Sequence, residues 1–152
     1  MTTSSVITPE LKALLNKPGE REVFDVEKGR VKFFAQAIGD ENPIYTDPEF
    51  AASTRFHDLI APPLFLMDSG LSTYVEYILQ FNPLTANING GSEVEYFLPI
   101  KVGDTITTEP MITSLEEKDG RSGKLLLVTV QVTFHNQNGD LVSRIKNTFV
   151  WR

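Results

Sequence analysis

The chain contains no cysteine among its 152 residues. That removes disulfide frameworks, thiolate metal sites and cysteine nucleophiles, and it makes a reducing compartment, the cytoplasm, the default expectation. Histidine is nearly as scarce. His57 and His135 are the only two, too few for a histidine-built metal centre, so neither metal nor cofactor is expected. Positive charge is in deficit, with 14 Lys and Arg against 20 Asp and Glu and a net charge of −6. Nucleic acid is therefore excluded as an expected partner, because binding it needs a basic footprint that displaces counterions. Long apolar runs are missing too. The densest stretch, 59–71, is interrupted by Asp68 and falls short of the ~18–20 residues that cross a bilayer. Residues 1–5 lack a basic segment followed by an apolar run, so no secretory signal is read and no membrane partner is expected.

What is present is ordinary globular material, 41% hydrophobic and 22% charged. The length suits one domain of ~100–200 residues, expected to span 1–152. No repeat, low-complexity tract or linker divides the chain, but its pattern changes near Gly90-Gly91. Before that point it reads as helices and loops. Thr8-Pro9-Glu10 opens a short helix with a capping hydroxyl and a proline at the first helical position. Residues 23–27 alternate weakly as a strand, and 28–38 carry Val31, Phe34, Ala35 and Ile38 at helical spacing, with Gly39 as the stop. Residues 40–56 are turn chemistry around Pro43 and Pro48, with one helical turn at 49–53. From 63 to 79, Leu64, Met67, Leu71, Tyr74, Val75, Ile78 and Leu79 predict one long, buried helix.

After Gly91 the period becomes two. Leu126, Val128, Val130, Val132 and Phe134 form one face, and Thr129, Gln131, Thr133 and His135 the other, which predicts a half-buried antiparallel strand. Asn138-Gly139 signals a two-residue hairpin with 141–151 returning. Segments 92–98 and 105–115 add two more strands, the latter pairing with 125–136 across a polar loop around Asp119-Gly120. The expected fold is α+β: an antiparallel sheet of about five strands wrapped around one long central helix.

One segment stands out for chemistry, Gly39-Asp40-Glu41-Asn42-Pro43-Ile44-Tyr45-Thr46-Asp47-Pro48. Asp and Asn beside Pro and Gly read first as turn formers, since their side chains bond nearby backbone N–H groups. A loop after a helix is also where site residues gather, and a buried carboxylate can act as a general base. The segment resembles the G-D-x-N-P-I-H-x-D-P signature of the MaoC-like, or (R)-specific enoyl-CoA hydratase, family of hotdog proteins. The likeness extends through Phe34-Ala35, Ile38, Ala51-Ala52, Ile60-Ala61, the run from Phe97 to Ile106 and the Asn136-Gln137-Asn138-Gly139 turn. Gly90-Gly91-Ser92-Glu93 and Ala61-Pro62-Pro63 are similar to the FAS1-like dehydratase branch.

The resemblance implies a hotdog fold and reversible hydration of a 2-enoyl thioester on coenzyme A or an acyl carrier. It implies that Asp40, Asn42 and Tyr45 stand at the catalytic positions, and that Pro63, Leu64, Phe65 and Gly91 face substrate. His57, seventeen positions beyond Asp40 near the helix entrance, reads either as a partly exposed loop histidine or as a further residue facing substrate and a replacement base. At two places the residues depart from the family pattern. Tyr45 occupies the place of the family's histidine, and a phenol with a pKa near ~10 is a poor base at neutral pH. Pro62-Pro63 replaces the common His-Gly, so Pro63 has no N–H to give a developing oxyanion. Three functions stay open: a hydratase or dehydratase centred on Asp40, a catalytically silent subunit shaping a MaoC-like partner's acyl tunnel, or a hotdog thioesterase. A homodimer or a heteromer with another hotdog chain is expected in each case, because bare sheet edges invite pairing and Phe97 and Trp151 read as more apolar surface than one domain covers.

Overall fold

The computed structural model describes residues 5–67, 69–121 and 123–152. Residues 1–4, the Asp68 that breaks the apolar run, and Ser122 lie outside it. Five strands, β1 (Val23–Asp25), β2 (Asn87–Tyr96), β3 (Thr105–Gly120), β4 (Gly123–His135) and β5 (Leu141–Trp151), form one antiparallel sheet in the order β1-β3-β4-β5-β2. Four short helices accompany them: α1 (Pro9–Ala13), α2 (Lys28–Ala37), α3 (Pro48–Ser53) and α4 (Leu71–Leu79).

The period-two pattern of β4 does what it predicts. Leu126, Val128, Val130, Val132 and Phe134 are all 0% exposed, while Thr129, Gln131 and Thr133 on the other face are half-buried. At about 1.5–3 kcal/mol for each large apolar side chain removed from water, this one strand face is a major part of the core. β5 repeats the device with Ile145, Phe149 and Trp151. Against this face lies α4, which buries Leu71, Tyr74 and Ile78. The approach is close: a Cβ on Gly70 would stand 2.7 Å from Thr108 Oγ1, and one on Gly19 2.3 Å from the Tyr74 ring.

The helix is much shorter than the spacing predicts. Residues 63–67 are turns and α4 begins only at Leu71. Pro62 and Pro63 bring no N–H to a helical ladder, Leu64 takes a left-handed φ of 68°, and Gly70 another at 69°. Apolar spacing at 64 and 67 is therefore not helical: both residues sit on turns, Leu64 49% exposed and Met67 half-buried against the core. Four further expectations are corrected. The last hairpin is not a two-residue turn: His135 pairs with Leu141, and Asn136 Oδ1 accepts from both Asn138 N–H and Asp140 N–H to shape a longer loop. β3 runs on to Gly120, which pairs with Gly123, so Asp119 and Gly120 belong to the strand and not to a loop. β2 begins at Asn87, five residues before the expected start, because Asn87 closes on Trp151. Trp151 is itself 0% exposed, its Nε1–H donating to Asn87 Oδ1 at 3.0 Å, so it contributes nothing to uncovered surface.

Candidate functional site

The signature loop is built from its own side chains. Gly39, at φ 71°, ends α2: its N–H donates to Gln36 O, and Asp40 N–H donates to Ala35 O, the paired bonds of a Schellman close. Asp40 Oδ1 then accepts from Asn42 N–H at 3.1 Å. Asn42 Oδ1 in turn accepts from Ile44 N–H at 3.1 Å and caps a 3-10 turn, Pro43–Tyr45. Asp47 Oδ1 accepts from Glu49 and Phe50 N–H and starts α3. The turn reading of Asp and Asn is thus met in full by Asn42 and Asp47. Asn42 itself is exposed.

This sequence of turns drives Ile44 and Tyr45 inward, leaving Tyr45 7% exposed. Burial first, then the charge of Asp40 and a hydrogen bond to its carboxylate, push the Tyr45 phenol above its ordinary 10.0. At neutral pH that phenol keeps its proton. It is not a base. Tyr45 lines a cavity of about 450 Å³ together with Pro63, Arg55, Tyr96 and the backbone run through Ile100.

The entry to the former helix position is occupied differently from what the family pattern implies. Pro63 has no N–H, and Phe65 N–H donates to Pro62 O at 3.2 Å. Leu64 N–H donates to Tyr96 Oη at 2.8 Å. A leucine in the left-handed region costs roughly 1–2 kcal/mol, so this bond helps to hold a conformation the residue would otherwise leave. The backbone donors at 64 and 65 are both spent inside the chain. The Leu64 and Phe65 side chains line a second hollow of about 780 Å³ between α2 and residues 64–69, where the Arg30 guanidinium stands 5.9 Å from the Phe65 ring.

Tyr45 and Pro63 therefore share one cavity, with Asp40 beside Tyr45 but outside the lining, while Leu64, Phe65, His57 and Gly91 do not line it. His57 is exposed at φ 55°, with Nδ1 3.3 Å from Ala52 O. Gly91 borders a separate hollow at the β2 bulge, with Ser92, Thr129 and Lys146. Phe65 lies in the second hollow only. Tyr96 is the residue that sequence reasoning passed over. Its only signal is position, one residue before the Phe97-Leu98-Pro99 run. Among the described residues no three His, Asp or Glu side chains stand where they could hold a metal ion, and no helix is long and apolar enough to cross a membrane.

Known proteins resemble this arrangement. The family model described as "FAS1-like, dehydratase domain region" matches residues 17–145. A UPF0336 protein of Streptomyces avermitilis is 28% identical over 125 residues, covering 78% of this chain and 79% of its own. The solved (R)-hydratase from A. caviae involved in PHA biosynthesis is 27% identical, with a TM-score of 0.66 over 88% of this chain and 95% of that one. A chain of the C-terminally truncated HadBC (3R-hydroxyacyl-ACP dehydratase) complex from Mycobacterium tuberculosis has a TM-score of 0.74 over 90% and 98%, and at 19% identity speaks for the fold alone. A sheet of five antiparallel strands carrying this loop, matched from residue 17 to 145, places the chain in the FAS1-like dehydratase domain family of MaoC-like hotdog proteins.

Proposed function

We propose that this chain, as a single hotdog domain, is a subunit that binds an acyl thioester and shapes the acyl site of a hydratase or dehydratase complex, while a partner hotdog chain supplies the base. One observation carries the reading: the group beside Asp40 is a buried phenol held above its ordinary pKa. Water addition needs a group that takes a proton near working pH, and a protonated phenol does not. The spent donors at Leu64 and Phe65 support the same conclusion, because an enolate oxygen meets no free backbone N–H there. The likeness to a chain of the HadBC complex supports pairing with a second hotdog chain.

A second reading, hydration by this chain alone with Asp40 as base, is favoured by the Asp40 carboxylate standing beside the buried Tyr45 phenol. Incubating the purified chain with crotonyl-CoA separates the two. No hydration is expected alone, with turnover appearing on addition of a hotdog partner that carries G-D-x-N-P-x-H. Hydration by the isolated chain, lost in Asp40→Asn, would establish the second reading instead.

A further inference from the structure

Tyr96 sits at the end of the edge strand, half exposed, and closes one wall of the cavity that Tyr45 lines. A phenol has one proton to give and an oxygen that accepts. Its oxygen accepts from Leu64 N–H at 2.8 Å, and among the described residues no acceptor takes its proton. Tyr45, the other phenol in that wall, is 7% exposed and stands beside the Asp40 carboxylate. Of the two phenols lining the cavity, Tyr96 is therefore the exposed one, with its oxygen fixed and its proton left to give. The bond from Leu64 also sharpens it, since an O–H whose oxygen accepts a hydrogen bond becomes a stronger donor.

We infer that the Tyr96 hydroxyl, fixed by Leu64 N–H, receives the carbonyl oxygen of a thioester bound in this cavity, taking the place of the backbone N–H that Pro63 lacks. The inference rests on the proposal that the chain binds an acyl thioester. The walls suit such a ligand. Ile60, Ala61, Phe97 and Leu98 offer apolar surface for an acyl chain. Arg55, in the same lining and stacked 4.7 Å over Phe56 without an ion-pair partner among the described residues, offers a counter-charge to an anionic carrier. Tyr96 is then a binding residue that orients the carbonyl and performs no proton transfer.

Two probes isolate the carbonyl: butyryl-CoA, and S-butyl-CoA, a thioether identical except for the missing oxygen. Calorimetry on the full chain should show butyryl-CoA binding about fivefold tighter, the worth of one ordinary hydrogen bond. Tyr96→Phe keeps the ring and should abolish that preference while leaving S-butyl-CoA affinity unchanged. Arg55→Gln should weaken both probes equally and keep the preference. A preference that survives or grows in Tyr96→Phe would overturn the inference, since Leu64 N–H, uncovered, would then be the donor and Tyr96 its plug. Equal affinities, or no binding, in the wild-type chain would overturn it as well. Crotonyl-CoA turnover by the isolated chain would defeat the silent-subunit reading but leave this comparison standing.

Discussion

Along one margin of the sheet, β3 is covered by its own chain; along the other, β2 is not. On the covered side Thr108 N–H donates to Glu22 O, Gly19 N–H to Pro110 O and Asn16 N–H to Ile112 O, so residues 16–25 lie along the strand. Glu117 extends the cover by accepting from Ser5 Oγ and from Val6 and Ile7 N–H. On the other side β2 presents ten residues, Asn87–Tyr96, as the last strand of the sheet, with Ile88 40% and Tyr96 49% exposed. Unpaired backbone of that length is a template for a second strand. The contrast teaches where this chain covers its own strand backbone and where it leaves that backbone open, and it puts the candidate cavity, which Tyr96 to Ile100 line, beside the open margin.

Removing the residue that fastens the open margin from within should have the largest effect. Trp151 is fully buried and pairs with Asn87, so Trp151→Ala should cost about 3–5 kcal/mol in urea unfolding and strip hydrogen-exchange protection from β2 first. Loss spread evenly over both margins would show that the two edges do not differ in this way. At the covered margin, Gly19→Ala pushes a methyl into the ring of Tyr74, which is itself 6% exposed. It should cost about 1–3 kcal/mol.

A charge on the open strand sharpens the contrast differently. Ile88→Glu should leave stability within about 0.5 kcal/mol, as exposed substitutions do, yet weaken association with a second hotdog chain. Light scattering reads this directly, wild type returning a mass above 17.0 kDa and the variant moving toward it. The smallest effect belongs to Glu117. Its hydrogen bonds, from Ser5 first, hold its pKa down from 4.5 to about 2. The folded value lies below the unfolded one, so its contribution is present above about pH 4.5 and fades as pH falls toward 2. Glu117→Gln should lower the melting temperature slightly at pH 7 and flatten its decline over that acid window.

The sheet was legible because alternation is enforced by burial: the inward residues of β4 are all fully covered, and a strand has only two faces. The long helix misled because apolar residues such as Leu66 and Met67 pack as well from a turn, and because Pro62-Pro63 is a helix stop as well as a missing donor. At the site, local chemistry was readable: Asn42 caps the 3-10 turn after it and Asp47 caps α3, as their spacing implies. The tie between Leu64 and Tyr96 spans thirty-two positions, and no periodicity or turn rule reaches that far. Gly91 and His57 failed to join the cavity for the same reason, since sequence likeness carries residue type but not the path of the backbone between them.

The measurement closest to the main claim is turnover of crotonyl-CoA by the complex of this chain with a hotdog partner bearing the histidine signature, comparing wild type with Asp40→Asn in this chain. If the partner supplies the base, the variant complex should turn over within about twofold of wild type, and the isolated chain should show none. A fall of about a hundredfold or more on Asp40→Asn, with hydration by the isolated wild-type chain, would contradict a partner-supplied base and make Asp40 the working one.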